Sequence, residues 1–176
     1  SYTERKLLDE VSFFLQEGEK VGLIGVNGCG KTTLLKMLAK LEEPESGKIT
    51  LANHVVYRYL PQHPQFEAGK SVLESTLLFA NHEQVSAHDA EIMLKRLGIT
   101  DMEQEISTLS GGQKKRVALA AVLLVPSEIL ILDEPTNHLD SFMIDWLEDY
   151  LKQWKGSFIM VTHDRYFLDS VTNRIV

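Results

Sequence analysis

Apolar residues in this chain follow two rhythms, and the switches between them divide it. Leu7 to Leu15 alternates loosely, as an edge strand does, and stops at Glu17-Gly18-Glu19. Val21 to Ile24 is short, apolar and interrupted by Gly22, the pattern of a buried strand. From Thr32 to Leu41 the residues Leu34, Leu35, Leu38 and Leu41 recur at helical spacing. Pro44-Glu45-Ser46-Gly47 predicts a turn, with strands at Lys48 to Leu51 and Val55 to Leu60. Three helices are expected next: Val72 to Ala80, Ala87 to Leu97 stopped by Gly98, and Ser110 to Val125 stopped by Pro126. Strand–helix–strand then returns as Ile129 to Asp133, Phe142 to Trp154 (closed by Gly156) and Phe158 to Thr162.

Alternating strands and helices imply an α/β fold with a mostly parallel sheet flanked by helices. Residues 1–64 and 127–176 are expected to form that core, and residues 65–126 an inserted helical subdomain. A chain of 176 residues suits one domain with a sizeable core. Composition agrees, at 44% hydrophobic and 24% charged residues. The longest apolar runs, Val117 to Val125 and Ile129 to Leu132, fall well short of the ~20 residues of a membrane-spanning helix. The opening Ser1 to Lys6 has no apolar stretch of the signal-peptide kind, and one cysteine excludes an internal disulfide. Together these predict a cytoplasmic location. A net charge of −7 argues against nucleic-acid binding driven by overall positive charge.

Gly25-Val26-Asn27-Gly28-Cys29-Gly30-Lys31-Thr32 is a P-loop pattern between a predicted strand and a predicted helix. A nucleoside triphosphate packs several negative charges into a small volume. Backbone N–H groups surround it only where no side chain intervenes, hence Gly25, Gly28 and Gly30. The following helix aims its positive end at the phosphates. Lys31 supplies a point charge there, and the Thr32 hydroxyl suits Mg²⁺. Asn27, Cys29 and Thr33 complete the expected ATP-binding set.

Downstream, four apolar residues run into Asp133-Glu134. A strand buried on both faces delivers such carboxylates to the C-terminal edge of a parallel sheet, where ligands bind. Asp133 is placed for Mg²⁺, which takes oxygen ligands, and Glu134 for a general base acting on water. Taken alone, an exposed Asp-Glu pair opening a loop is the commoner meaning of such a dipeptide.

Leu109-Ser110-Gly111-Gly112-Gln113 carries the family resemblance. Ser110 suits a helix N-cap, and the glycines leave backbone N–H groups open to an anion. Lys114, Lys115 and Arg116 crowd the first turn, where positive charge opposes the helix dipole and an anion would relieve it. The peptide, standing between the P-loop and Asp133, resembles the signature of ABC ATPases. That resemblance spans essentially the whole chain and implies N-terminal antiparallel strands beside the parallel core. It also implies that Gln62 is a Q-loop glutamine sensing Mg²⁺ and water. Asn137-His138-Leu139-Asp140 would be the D-loop, His163 a switch histidine at the γ-phosphate, and Tyr2 a stacking partner for adenine. Tyr2 would read an aromatic face only, so GTP is an expected alternative to ATP.

Two longer matches, Asp133 to Asp140 and Thr162 to Asp169, are similar to the ABC-F subfamily of tandem ABC proteins acting on ribosomes. The resemblance implies a nucleotide sandwich, in which ATP on one P-loop is covered by Ser110, Gly111, Gly112 and Gln113 of a second ABC domain, itself a copy or a missing half. Ribosome and tRNA are the implied wider partners. The chain departs from the subfamily pattern in having one ABC domain and no long linker. Only 47 residues separate Gln62 from Ser110, leaving no room for a full inserted arm. It reads as a piece of a longer protein. Two other functions remain open: the ATPase subunit of a membrane transporter, and an ATP-binding dimerisation module inactive alone.

Cys29 lies inside the predicted phosphate cradle, next to a helix N-terminus that favours the thiolate. Mg-ATP is expected to slow its alkylation, as measured by mass spectrometry; equal labelling with and without nucleotide would count against the cradle.

Overall fold

The computed structural model describes residues 18–24 and 56–175. The expected elements at 7–15, 32–41, 44–47 and 48–51 lie outside the described residues, as do Tyr2 and the segment from Gly25 to Thr33.

Five described strands form one sheet: β1 (Lys20–Leu23), β2 (Tyr57–Leu60), β3 (Ile129–Asp133), β4 (Ser157–Val161) and β5 (Arg174–Ile175). Their order is β2-β3-β4-β1-β5, and every pairing among them is parallel. In the ladder Leu60 stands opposite Leu132, while Asp133 and Leu23 both stand opposite Val161. The first four strands therefore end level, at one edge. Side chains alternate across the sheet. Leu130, Leu132, Phe158 and Met160 point into the larger core, which the helices share. Ile131, Ile159, Val21, Leu23 and Val161 form a second cluster. Burial on both faces explains why β3 and β4 read as continuous apolar runs.

The helices are α1 (Val72–Ala80), α2 (Ala87–Arg96), α3 (Gly111–Leu124), α4 (Ser141–Lys152) and α5 (Arg165–Val171). Each begins at a Ser or Asp whose side chain accepts a backbone N–H of the first turn: Ser71, Ser86, Ser110, Asp140 and Asp164. Gly98, at φ +76°, takes the left-handed conformation that ends α2. Val125 is extended ahead of Pro126, which ends α3. α1, α2 and α3 form the helical insert, and α3 is buried from Val117 to Leu123.

Three expectations need amending. α4 starts one residue earlier than expected and ends at Lys152, with Gln153 as its cap. Gly156 does not close it. A Cβ at Gly156 would lie 2.7 Å from the Glu128 carbonyl oxygen, so the glycine permits close approach of two backbones. The basic residues near the start of α3 also do not all await an anion. Lys115 is 3% exposed, and its Nζ donates to the carbonyls of Pro61 (2.6 Å), Gln62 (3.3 Å) and Asp133 (2.5 Å). Arg116 turns to the Leu97 carbonyl at 3.0 Å. Protein carbonyls, not a bound anion, meet these two charges.

Burial pushes the Lys115 ammonium from its ordinary 10.5 down to about 8, against the pull of the Asp133 and Glu134 charges. Below pH 8 both folded and unfolded chains hold this proton. Between about 8 and 10.5 the folded chain releases it while the unfolded chain keeps it. The unfolded state then binds more protons, so this group's contribution to stability rises with pH. Urea unfolding of the wild type minus that of Lys115→Met is expected to shift by about 2 kcal/mol in favour of the wild type between about pH 7 and about pH 9.5. A flat difference would contradict the buried charge.

Candidate functional site

The C-terminal edge of the sheet gathers the ends of β1, β2, β3 and β4. β2 leads into Pro61-Gln62, β3 ends in Asp133 and Glu134, and β4 leads into Thr162-His163. β1 ends at Leu23 beside β4, two residues before Gly25. Gln62, Asp133, Glu134 and His163 are thus brought to one edge, as the sequence predicts. Lys31, Thr32 and the other P-loop positions lie outside the described residues, so their place is not part of this geometry.

Asp133 is 1% exposed and Glu134 is 4% exposed. Buried carboxylates of this kind persist only with partners. Glu134 Oε1 lies 3.2 Å from His163 Nε2, and Glu134 Oε2 accepts the His163 backbone N–H at 3.3 Å. One carboxylate is therefore held by both ends of one histidine, whose side chain is itself 62% exposed. The Glu134 backbone N–H donates to the Val161 carbonyl at 2.7 Å, extending the β3–β4 ladder by one residue. Glu134 has φ +53°, in the left-handed region, which costs a non-glycine residue roughly 1–3 kcal/mol. That backbone turn ends the strand and points the carboxylate across to His163 rather than along β3.

The loops around this pair are pinned. Thr136 and Thr162, both buried, approach through their hydroxyls at 3.3 Å. The Thr162 hydroxyl also accepts the Asp164 backbone N–H at 3.1 Å, just before Asp164 caps α5. His138 adopts φ +65° and lies over Gly112, where a Cβ would come within 2.9 Å of its ring. The predicted D-loop thus abuts the predicted signature within one chain. Asp140, at the end of that D-loop, accepts the Met143 N–H at 2.9 Å and caps α4.

At the start of α3, Ser110 and Gln113 form a reciprocal capping box. The Ser110 Oγ accepts the Gln113 N–H at 3.2 Å, and the Gln113 Oε1 accepts the Ser110 N–H at 2.9 Å. Gln113 is thereby committed to its own helix. A Cβ at Gly111 would meet nothing within 4 Å, so that peptide faces open space. An anion can approach the helix start there without meeting a side chain.

Lys115 is the residue of this edge that charge-based reading places wrongly. Its position carried a signal: Lys115, Ala118, Leu119 and Val122 share the spacing of one helical face, and that face is buried. The Thr136–Thr162 contact joins two loops far apart in sequence and had no local signature.

The profile of the ABC transporter family matches residues 8–137. A Bacillus subtilis (strain 168) relative, "Uncharacterized ABC transporter ATP-binding protein YfmR", is 42% identical over 99% of this chain and 34% of its own length. "ABC transporter F family member 2" of Arabidopsis thaliana is 38% identical over 99% of the chain and 26% of its own. "Energy-dependent translational throttle protein EttA" of Escherichia coli (strain K12) is 33% identical over 98% and 38%. Among solved structures, the complex of an archaeal ribosomal stalk protein with an archaeal ribosome recycling factor matches with a TM-score of 0.75. It is 35% identical and covers 91% of this chain and 32% of that one. The chain thus spans well under half the length of these relatives. Residues, sheet order and relatives agree: the chain belongs to the ABC ATPase family, the ABC transporter family of the matching profile, and is most like its ABC-F members.

Proposed function

We propose that this domain binds ATP with Mg²⁺ and hydrolyses it inside a nucleotide sandwich formed with a second ABC domain, in a protein that works on the ribosome. The observation that carries the reading is the Glu134–His163 pair. A nearly buried carboxylate is aimed by a strained backbone at a histidine, on the edge where β1 leads toward the P-loop sequence.

Glu134 is the candidate general base: it has an imidazole and a backbone N–H to hold it, and its carboxylate stands at the end of a buried strand. His163, whose side chain is largely exposed, is the candidate donor to the terminal phosphate. Asp133 offers a hard carboxylate oxygen of the kind Mg²⁺ takes. Gln62 and Thr32 are its expected companions. Among the described residues no three His, Cys, Asp or Glu side chains gather as a metal cage. Mg²⁺ needs none where one carboxylate, phosphate oxygens and water complete its shell. Bound there, Mg²⁺ supplies charge neutralisation across the phosphates. Lys31 and the backbone of Gly25, Gly28 and Gly30 are the expected phosphate-binding groups, with Asn27, Cys29, Thr33 and Tyr2 as further expected nucleotide contacts. The open start of α3 at Ser110, Gly111 and Gly112 covers the partner's nucleotide, with Gln113 fixing the cap that keeps it open.

The coupling to translation rests on the relatives, which include a protein named a translational throttle and one named a ribosome recycling factor. The alignment to YfmR runs over 214 positions against the 176 residues here, so that relative carries extra residues within the matched stretch. Among the described residues no helix is long and apolar enough to cross a membrane.

Glu134→Gln is expected to keep ATP affinity while lowering phosphate release by ~10²–10⁴, with ATP-dependent dimers accumulating in sedimentation. Turnover at the wild-type rate would remove Glu134 from the role of base.

A further inference from the structure

Lysine is an expensive residue to bury, and a methionine would fill the space beside α3 without that cost. What the charge obtains in return is specific. An ammonium has three hydrogens to donate, and Lys115 meets three carbonyls, those of Pro61, Gln62 and Asp133. None of them belongs to the helical insert from which Lys115 comes. Pro61 and Gln62 follow β2, and Asp133 ends β3. The tie therefore crosses from the insert to the core, at the edge where the candidate site lies. It starts five residues after Ser110, within the second turn of α3.

We propose that Lys115 is a positioning residue that locks the start of α3 to the Gln62 loop and the Asp133-Glu134 corner. The inference rests on the sandwich reading above. In that arrangement Gln62, Asp133 and Glu134 act on this domain's own nucleotide, whereas the start of α3 acts on the partner's. A single side chain then links the two halves of the machinery that one chain contributes. A displacement of the Gln62 loop or of the β3 end is passed to α3 through hydrogen bonds of 2.5 to 3.3 Å. Binding of ATP at one site thereby improves the orientation of the signature over the other. Small misplacement at such a point is costly, since an error of about 1 Å far from the chemistry lowers a rate by ~10²-fold.

The test compares wild type, Lys115→Met, Lys115→Arg and Glu134→Gln in the full-length protein. ATP affinity by equilibrium binding, kcat, and cooperativity in ATP are measured for each. Lys115→Met is expected to bind ATP within about twofold of wild type, to lose at least ~10-fold in kcat, and to lose its cooperativity, with Lys115→Arg recovering part of both. If Lys115→Met loses activity only in proportion to lost folded protein, with cooperativity intact, the lysine is structural and the inference is overturned. Should Lys115→Met not fold, Lys115→Arg carries the comparison: a folded variant that keeps ATP affinity but is lowered in both kcat and cooperativity supports the tie, and one with both at wild-type values overturns it. A folded Lys115→Arg with ATP affinity lost also overturns it. The Glu134→Gln control replaces none of the residues that Lys115 hydrogen-bonds. Wild-type turnover there would overturn the hydrolytic reading, and this inference with it.

Discussion

Strands buried on both faces, as β3 and β4 are, have only their ends available for polar chemistry, and this constraint organises the molecule. Four strands finish level at one edge, so residues from distant parts of the sequence meet there without long side chains. His163 lies 29 residues beyond Glu134, yet the Asp133–Val161 register puts the loops that follow β3 and β4 side by side. The apolar runs that make the strands stable are thus also what leaves the carboxylates nearly dry. In such surroundings each hydrogen bond and each charge has more effect than it would in water.

Charge at this edge is managed by pairing rather than by solvent. Glu134 is held from two directions by His163, and Lys115 spends its donors on backbone oxygens next to the same corner. The Asp133 and Glu134 charges raise the Lys115 pKa, although burial outweighs them. Electrostatics and connectivity therefore run together: the group that offsets the acidic corner is also the one that fastens the helical insert to the core. The strained backbone at Glu134 is tolerated because the ladder bond to Val161 and the adjacent Thr136–Thr162 contact fix the turn on both sides.

Much of this was legible in the sequence, for reasons particular to each element. α1 matches its expected range, and Ser71 caps it at the position where the apolar run begins. β3 was readable as an unbroken apolar run ending in acid. α3 was readable from its cap, its glycines and Pro126. The edge position of Asp133 and Glu134 followed from the parallel topology, whereas Gln62 and His163 were singled out only by the family resemblance. The misreadings have a common cause, which is that local patterns do not report partners distant in the chain. Gly156 looked like a helix stop but serves an approach to Glu128. Lys115 was grouped with Lys114 and Arg116 as charge awaiting an anion, because charge outweighed its place on an apolar face. α5 and β5 were not anticipated, since seven and two residues carry little periodicity.

The central claim is that this domain contributes part of an ATPase site that another ABC domain must complete. The most direct test is steady-state phosphate release from Mg-ATP per chain, measured across a range of protein concentrations. The account predicts a rate per chain that climbs with concentration if the domain pairs with itself, or that appears only when its second ABC domain is supplied. A rate per chain that is constant from the most dilute sample upward, with the domain monomeric throughout, would contradict it.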